Sequence, residues 1–154
     1  MTRLCYYDSP VGCLRIFENG KGITMIKFVS DPKEQLHTTE VNSPLLKEAV
    51  KQLTDYFSGK KKEFNLPLDL QGTDFQLRTW NALRAIPYGE TRSYKQIAEA
   101  IGCPKGFRAV GLANNRNPVS IVIPCHRVIG ADGSLTGYAG GLDIKERLLA
   151  FEKR

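Results

Sequence analysis

A chain of 154 residues has room for one ordinary domain, or for two small ones packed together. Its 42 % hydrophobic and 25 % charged residues belong to a folded, soluble protein rather than a disordered one. No run of about eighteen apolar residues occurs, so a membrane span is not expected. The formal net charge of +6 suits a polyanionic partner, and suits equally a basic protein that never meets nucleic acid.

The first eight residues lack the apolar stretch of a secretory signal. Cys5, Cys13, Cys103 and Cys125 are few and scattered for a disulfide scaffold, so a reducing compartment is expected. That means cytoplasmic, nucleoid-associated in a prokaryote, or nuclear in a eukaryote.

In chain order, residues 13–18 and 23–29 carry β-branched and aromatic side chains in partial alternation around Asn19-Gly20-Lys21-Gly22, which predicts a hairpin. Ser43-Pro44 supplies an N-cap and a first-turn proline, and Leu46, Ala49, Val50, Leu53, Tyr56 and Phe57 recur at helical spacing up to Gly59. Lys60-Lys61-Lys62 reads as a solvated loop, and a short strand is expected over 64–70. Residues 1–70 therefore form an α/β unit.

From Gly72 the pattern turns helical, so 71–154 reads as a second domain. Thr73-Asp-Phe-Gln76 and Ser93-Tyr-Lys-Gln96 are capping boxes, each opening a helix. After Gly102 and the turn Cys103-Pro-Lys-Gly106, a further helix spans about 107–115, completing a helix-turn-helix pattern. Many such hairpins bind nothing, so this pattern alone leaves DNA binding open. Residues 120–124, Ser-Ile-Val-Ile-Pro, read as a buried strand; a Gly-rich loop follows over 130–141, then an amphipathic helix over about 142–152. Spacings of three and four residues bring Leu142, Lys145, Leu149 and Glu152 near one another.

Pro124-Cys125-His126-Arg127-Val128 stands where that strand meets the loop. A thiolate is the reactive form of cysteine, and a neighbouring imidazole with basic residues favours it. Adjacent side chains of an extended segment point apart, so His126 would act through a water molecule. Taken by itself, a Cys-His dipeptide reads better as a buried, small hydrophobic cysteine than as a nucleophile.

With Asn117-Pro118-Val119 before it and Gly137-Tyr138-Ala139-Gly140-Gly141 after it, this segment closely resembles the O6-alkylguanine-DNA alkyltransferases (methylated-DNA–protein-cysteine methyltransferases). The likeness runs from about Gly72 to Glu152 and is weaker before that. It implies a ribonuclease-H-like N-terminal α/β domain followed by a mostly helical winged-helix domain. By the same resemblance Cys125 is the nucleophile and alkyl acceptor, His126 relays its proton, Glu152 orients His126, Asn117 braces the turn, and Tyr94 attends the departing base. Arg108 is the finger that fills the space of a flipped base. Lys95, Gly106, Ala109 and Gly111 join it at the DNA, the small ones allowing close approach in the minor groove. Val128, Tyr138, Ala139, Gly140 and Ser120 line the substrate pocket. The implied partner is double-stranded DNA containing O6-alkylguanine, with one irreversible transfer per molecule; O4-alkylthymine is not decided by the residues.

The chain departs from the family pattern in three places. Phe107 stands where relatives carry a smaller residue, Ala139 lacks a polar side chain found in some, and Ser120 replaces a proline. Cys5, Cys13 and His37 are too few and wrongly spaced for the zinc site of some relatives. No metal, no cofactor, no membrane association and a monomer are therefore expected. Two other readings compete. A non-catalytic module recognising alkylated guanine would carry a non-nucleophilic residue, often tryptophan, at position 125. A Cys-His hydrolase would leave the paired helices and Arg108 without a purpose.

Overall fold

The first strands pair by simple reversal: β1 (Arg3–Ser9), β2 (Gly12–Glu18) and β3 (Ile23–Phe28) form an antiparallel sheet in sequence order, with Cys5 opposite Ile16 and Ile16 opposite Ile26. The computed structural model describes residues 2–30, 43–138 and 140–153. Contacts divide the chain into two compact units, Met1–Leu70 with Pro118–Ser120, and Gln71–Asn117 with Ile121–Arg154.

In the first unit, Cys5, Leu14, Ile16, Ile23 and Ile26 are fully buried. Alternation sets Leu14 and Ile16 on one face, Cys5 and Ile26 stand opposite Ile16, and a register shift at Phe17/Glu18 brings Ile23 opposite Glu18. Helix α1 (Pro44–Phe57) covers that face with Leu46, Ala49, Leu53 and Tyr56. Its N-cap Ser43 accepts from the Leu46 N–H and donates to Glu18 Oε2 at 2.8 Å. The hairpin was predicted; β1 was not, because Tyr6, Tyr7 and Asp8 hide its alternation.

The strand expected over 64–70 does not form. Pro67 has no N–H for a ladder, and only a single parallel bridge joins Leu68 to Ile23. The Gln52 side chain stands in for a neighbouring strand, accepting from Asn65 N–H at 2.8 Å and donating to its carbonyl at 3.0 Å. Residues 118–120 also join this unit. Ile26 N–H donates to Pro118 O at 2.9 Å, and Ser120 N–H donates to Ile26 O at 2.8 Å.

The second unit is built on helices α2 (Asp74–Arg84), α3 (Tyr94–Ala100), α4 (Phe107–Asn115) and α5 (Leu142–Glu152). Both predicted capping boxes are closed, Thr73 with Gln76 and Ser93 with Gln96. Gly102, at φ +78, takes the left-handed conformation that ends α3. Trp80 is buried and donates its indole N–H to Ala113 O at 2.9 Å, tying α2 to α4. Leu83, Ile97, Val110, Ile123, Val128 and Leu148 complete the core. A two-residue parallel pair, β4 (Arg92–Ser93) with β5 (Val128–Ile129), sets the chain after the Cys125 segment beside the start of α3. Among the described residues no helix is long and apolar enough to cross a membrane.

Candidate active site

The backbone leading to Cys125 is a tight turn, which corrects the strand expected over 120–124. Ile121 has φ +74, a conformation rarely open to a β-branched residue, and Cys125–Arg127 form one turn of 3-10 helix. Asn117 holds the bend by donating its side-chain amide to Ile123 O at 2.7 Å. Asn114, on α4, donates to Cys125 O at 3.3 Å. Local propensity alone makes Ile-Val-Ile a strand; two buried asparagines outbid it by satisfying the carbonyls that a ladder would otherwise take.

Cys125 is buried, and burial pushes its thiol above the ordinary value. Hydrogen bonds from Asn117 and Tyr138 and the charge of Lys145 pull the other way without overcoming it. At rest the group is therefore a thiol, whose ionisation is helped by neighbours that stabilise the anion.

His126 is fully buried, and its Nε2 lies 2.8 Å from Glu152 Oε2. Burial lowers its pKa, against the opposing pull of Glu152. A carboxylate can only accept, so the proton of the neutral ring sits on Nε2, and Nδ1 is left as an acceptor with no hydrogen bond to any described residue. Glu152 is held by more than histidine. Arg127 donates Nε to Oε1 at 2.8 Å and a terminal nitrogen to Oε2 at 2.9 Å, while its other terminal nitrogen donates to Ile86 O at 2.7 Å. Although burial opposes it, hydrogen bonds and charges from His126 and Arg127 hold the Glu152 carboxyl far below the carboxylate range.

Lys145, on α5, is also fully buried and donates to Thr136 O at 2.8 Å. Burial lowers its pKa; the Cys125 charge acts in the opposite sense. Tyr94 donates its hydroxyl to the same Thr136 carbonyl at 3.1 Å, and the Lys145 ammonium stands 5.9 Å from the centre of its ring. An open pocket of about 300 Å³ lies alongside, lined by Tyr94, Phe107, Gly111, Asn115, Thr136 and Gly137.

The predicted site residues thus fall into distinct places. Asn117 and Tyr138 stand at the Cys125 thiol, His126 follows it in the chain and is bonded to Glu152, and Val128 is buried in β5. Gly140 lies in the turn closed by Gly141 N–H donating to Tyr138 O at 2.9 Å. Ala139 and His37 lie outside the described residues. Ser120 belongs to the first unit, through its bond to β3. Arg108 and Ala109 are exposed on the first turn of α4, Gly106 is its N-cap, and Lys95 is exposed on α3. A methyl at Gly111 would meet the Tyr94 ring at 3.7 Å, an ordinary contact. Among the described residues no group of three or more His, Cys, Asp or Glu side chains is placed to hold a metal.

Sequence reasoning gave no role to Arg127, Lys145, Asn114 or Thr136. For Lys145 the signal was present: it shares the buried stripe of α5 with Leu148, Leu149 and Glu152. A lysine in such a stripe is ordinarily assigned to the surface.

Comparison with known proteins is consistent along the whole chain. Residues 3–70 match the model of the 6-O-methylguanine DNA methyltransferase ribonuclease-like domain, and residues 74–154 that of its DNA-binding domain. A methylated-DNA–protein-cysteine methyltransferase of Methanosarcina barkeri is 54 % identical over 153 residues, covering 96 % of this chain and 97 % of its own. One from Mycolicibacterium paratuberculosis is 53 % identical, covering 96 % and 90 %. The crystal structure of the Mycobacterium tuberculosis O6-methylguanine methyltransferase superposes with a TM-score of 0.89 at 48 % identity, over 99 % of this chain and 93 % of that one. A structure of the Mycobacterium tuberculosis protein in complex with DNA superposes at 0.85, also at 48 % identity, over 96 % and 91 %.

Proposed function

The chain belongs to the 6-O-methylguanine DNA methyltransferase family, and on that premise we propose that Cys125 takes the alkyl group from O6 of guanine in duplex DNA, once per molecule. Its activity class is methyl transfer from methylated DNA to a protein cysteine. The observation that supports the assignment to Cys125 is a buried thiol held by Asn117 and followed directly by a histidine whose Nε2–H is committed to the Glu152 carboxylate.

In the proposed reaction His126 Nδ1 receives the Cys125 proton through a bridging water. The imidazolium that results is stabilised by Glu152, itself fixed by the Arg127 fork. The sulfur attacks the alkyl carbon; an S–C bond forms as the C–O6 bond breaks, and the electron pair leaves with guanine. The base takes one proton, for which the Tyr94 hydroxyl on the pocket wall is the proposed donor, regaining its own from solvent. Guanine O6 lies inside the base stack, so the nucleotide must leave the duplex first, and Arg108 is the side chain proposed to occupy its place. The thioether is stable, and a second turnover has no group to release it.

The test is mass spectrometry of the protein after incubation with excess duplex containing one O6-methylguanine. One added methyl on the peptide bearing Cys125, with reaction stopping at one equivalent, is the expected result. A methyl on another residue, lesion binding without transfer, or turnover beyond one equivalent would each overturn the proposal.

A further inference from the structure

Four large apolar side chains stand exposed among the described residues, and two of them lie on the nine-residue helix α4: Phe107 at 46 % exposure and Leu112 at 55 %. Isolated exposed hydrophobes are ordinary, but these two flank the exposed side of one short helix. The opposite face of α4 is buried through Val110, Ala113 and Asn114, which fixes the direction in which the rest of the helix points. Leu112 follows Arg108 by four residues and Phe107 precedes Gly111 by four, so each apolar side chain neighbours one of those positions on the helix surface. Phe107 also forms part of the wall of the Tyr94 pocket.

The surroundings select the occupant. From Ile101 to Asn117 the chain carries Lys105, Arg108 and Arg116 and no acidic residue, and Lys95 is exposed on the preceding helix. A polyanion is therefore the complementary partner. Phosphates offer nothing to phenylalanine or leucine, whereas the sugars and base edges of a minor groove do, and apolar wedges between base steps are a recurrent means of unstacking them. Gly106, Ala109 and Gly111 leave no long side chain to hold the helix axis away.

We propose that Phe107 and Leu112 are apolar wedges that seat α4 in the minor groove of duplex DNA on either side of Arg108, with Phe107 holding the strand open at the mouth of the Tyr94 pocket. The proposal rests on the function argued above and adds to it the groups that unstack the duplex. Arg108 then supplies charge and bulk, while the wedges supply contact that no counterion accompanies.

The test uses Phe107→Ala, Leu112→Ala and Arg108→Ala in the full chain. Transfer rates are measured on free O6-benzylguanine, on a single strand and on a duplex carrying one O6-methylguanine, and duplex affinity is measured at several salt concentrations. For each wedge variant the ratio of duplex rate to free-base rate should fall about tenfold, the scale of one lost aromatic stacking contact for Phe107 and of one buried apolar side chain for Leu112. The single-strand rate should fall less, and the salt slope of binding should stay as it was. Arg108→Ala should lower that slope by about one. An unchanged or improved duplex ratio in Phe107→Ala and Leu112→Ala would overturn the wedges while leaving alkyl transfer intact. If the unsubstituted protein itself fails to react with the duplex, the functional reading falls instead.

Discussion

His126 and Glu152, 26 residues apart in the chain, meet at 2.8 Å between Nε2 and Oε2 where solvent does not reach. The same carboxylate takes both arms of the Arg127 fork, so one anion serves two cations or potential cations. That sharing decides what histidine can do. With Arg127 present the carboxylate is already neutralised in part, and His126 stays neutral and able to accept a proton; without Glu152 both Arg127 and any imidazolium would be buried unpaired.

Glu152→Gln therefore removes more than a hydrogen-bond acceptor. Leaving Arg127 as a buried uncompensated cation should cost about 3–5 kcal/mol of stability. Loss of the imidazolium partner should slow transfer on the order of 10², a typical share for a general base. Thermal unfolding and the rate on free O6-benzylguanine, taken where circular dichroism shows the variant folded, check both. A folded variant with an undiminished rate would remove Glu152 from the relay.

Acid should destabilise the protein in two stages. The folded imidazole of His126 is held below its ordinary value of 6.5, so below that pH the unfolded chain binds a proton that the folded chain refuses. Stability then falls as pH drops through about 6.5. The Glu152 carboxyl is depressed when folded; its contribution is complete above about 4.3, the unfolded value, and is lost as pH falls from there toward the folded value. Melting temperature against pH for the unsubstituted protein and for His126→Asn separates the stages, since only the upper slope should disappear in the variant. A variant that keeps the upper slope would place its origin elsewhere.

Much of this was legible in the sequence, and the reasons are local. Capping boxes at Thr73 and Ser93 and the Ser43-Pro44 start are written in consecutive residues, so the helices they open were predicted from their chemistry. The turn before Cys125 was not, because it is held by Asn114 and Asn117 side chains whose partners appear only after α4 has packed. The strand over 64–70 failed on a single proline. Of the site, the residues contiguous with Cys125 were readable through the Pro-Cys-His-Arg-Val segment and its flanks. Lys145 and Thr136 were not assigned, since one is a lysine in a buried stripe and the other acts through its backbone carbonyl.

Asn117→Ala should expose how much that turn matters. It removes one of the two hydrogen bonds on the Ile123 carbonyl, which keeps the Cys125 N–H at 2.8 Å, a cost of about 0.5–1.5 kcal/mol. Ile121 would also be free to leave its left-handed conformation. The thiol loses a hydrogen bond that stabilises its anion, so its pKa should rise further. Iodoacetamide labelling of Cys125 followed against pH, by peptide mass spectrometry, should show a curve displaced to higher pH than in the unsubstituted protein. Superimposable curves would assign Asn117 to the backbone alone.

Lys145→Met separates reactivity from stability at the same site. The ammonium is buried, bonded to Thr136 O and close enough to Cys125 to favour its anion. Replacing a buried cation by an apolar side chain of similar length is often neutral or stabilising, so the melting temperature should hold or rise. Removing its charge should lift the Cys125 pKa, and each unit of rise leaves about tenfold less thiolate at neutral pH. The rate on free O6-benzylguanine should therefore fall about tenfold, with the labelling curve of Cys125 displaced to higher pH. Raising the pH should recover part of the lost rate, because a larger fraction of Cys125 is then thiolate. A variant that is slower but keeps the unsubstituted labelling curve would mean that Lys145 acts only by holding Thr136 and the Tyr94 hydroxyl in place.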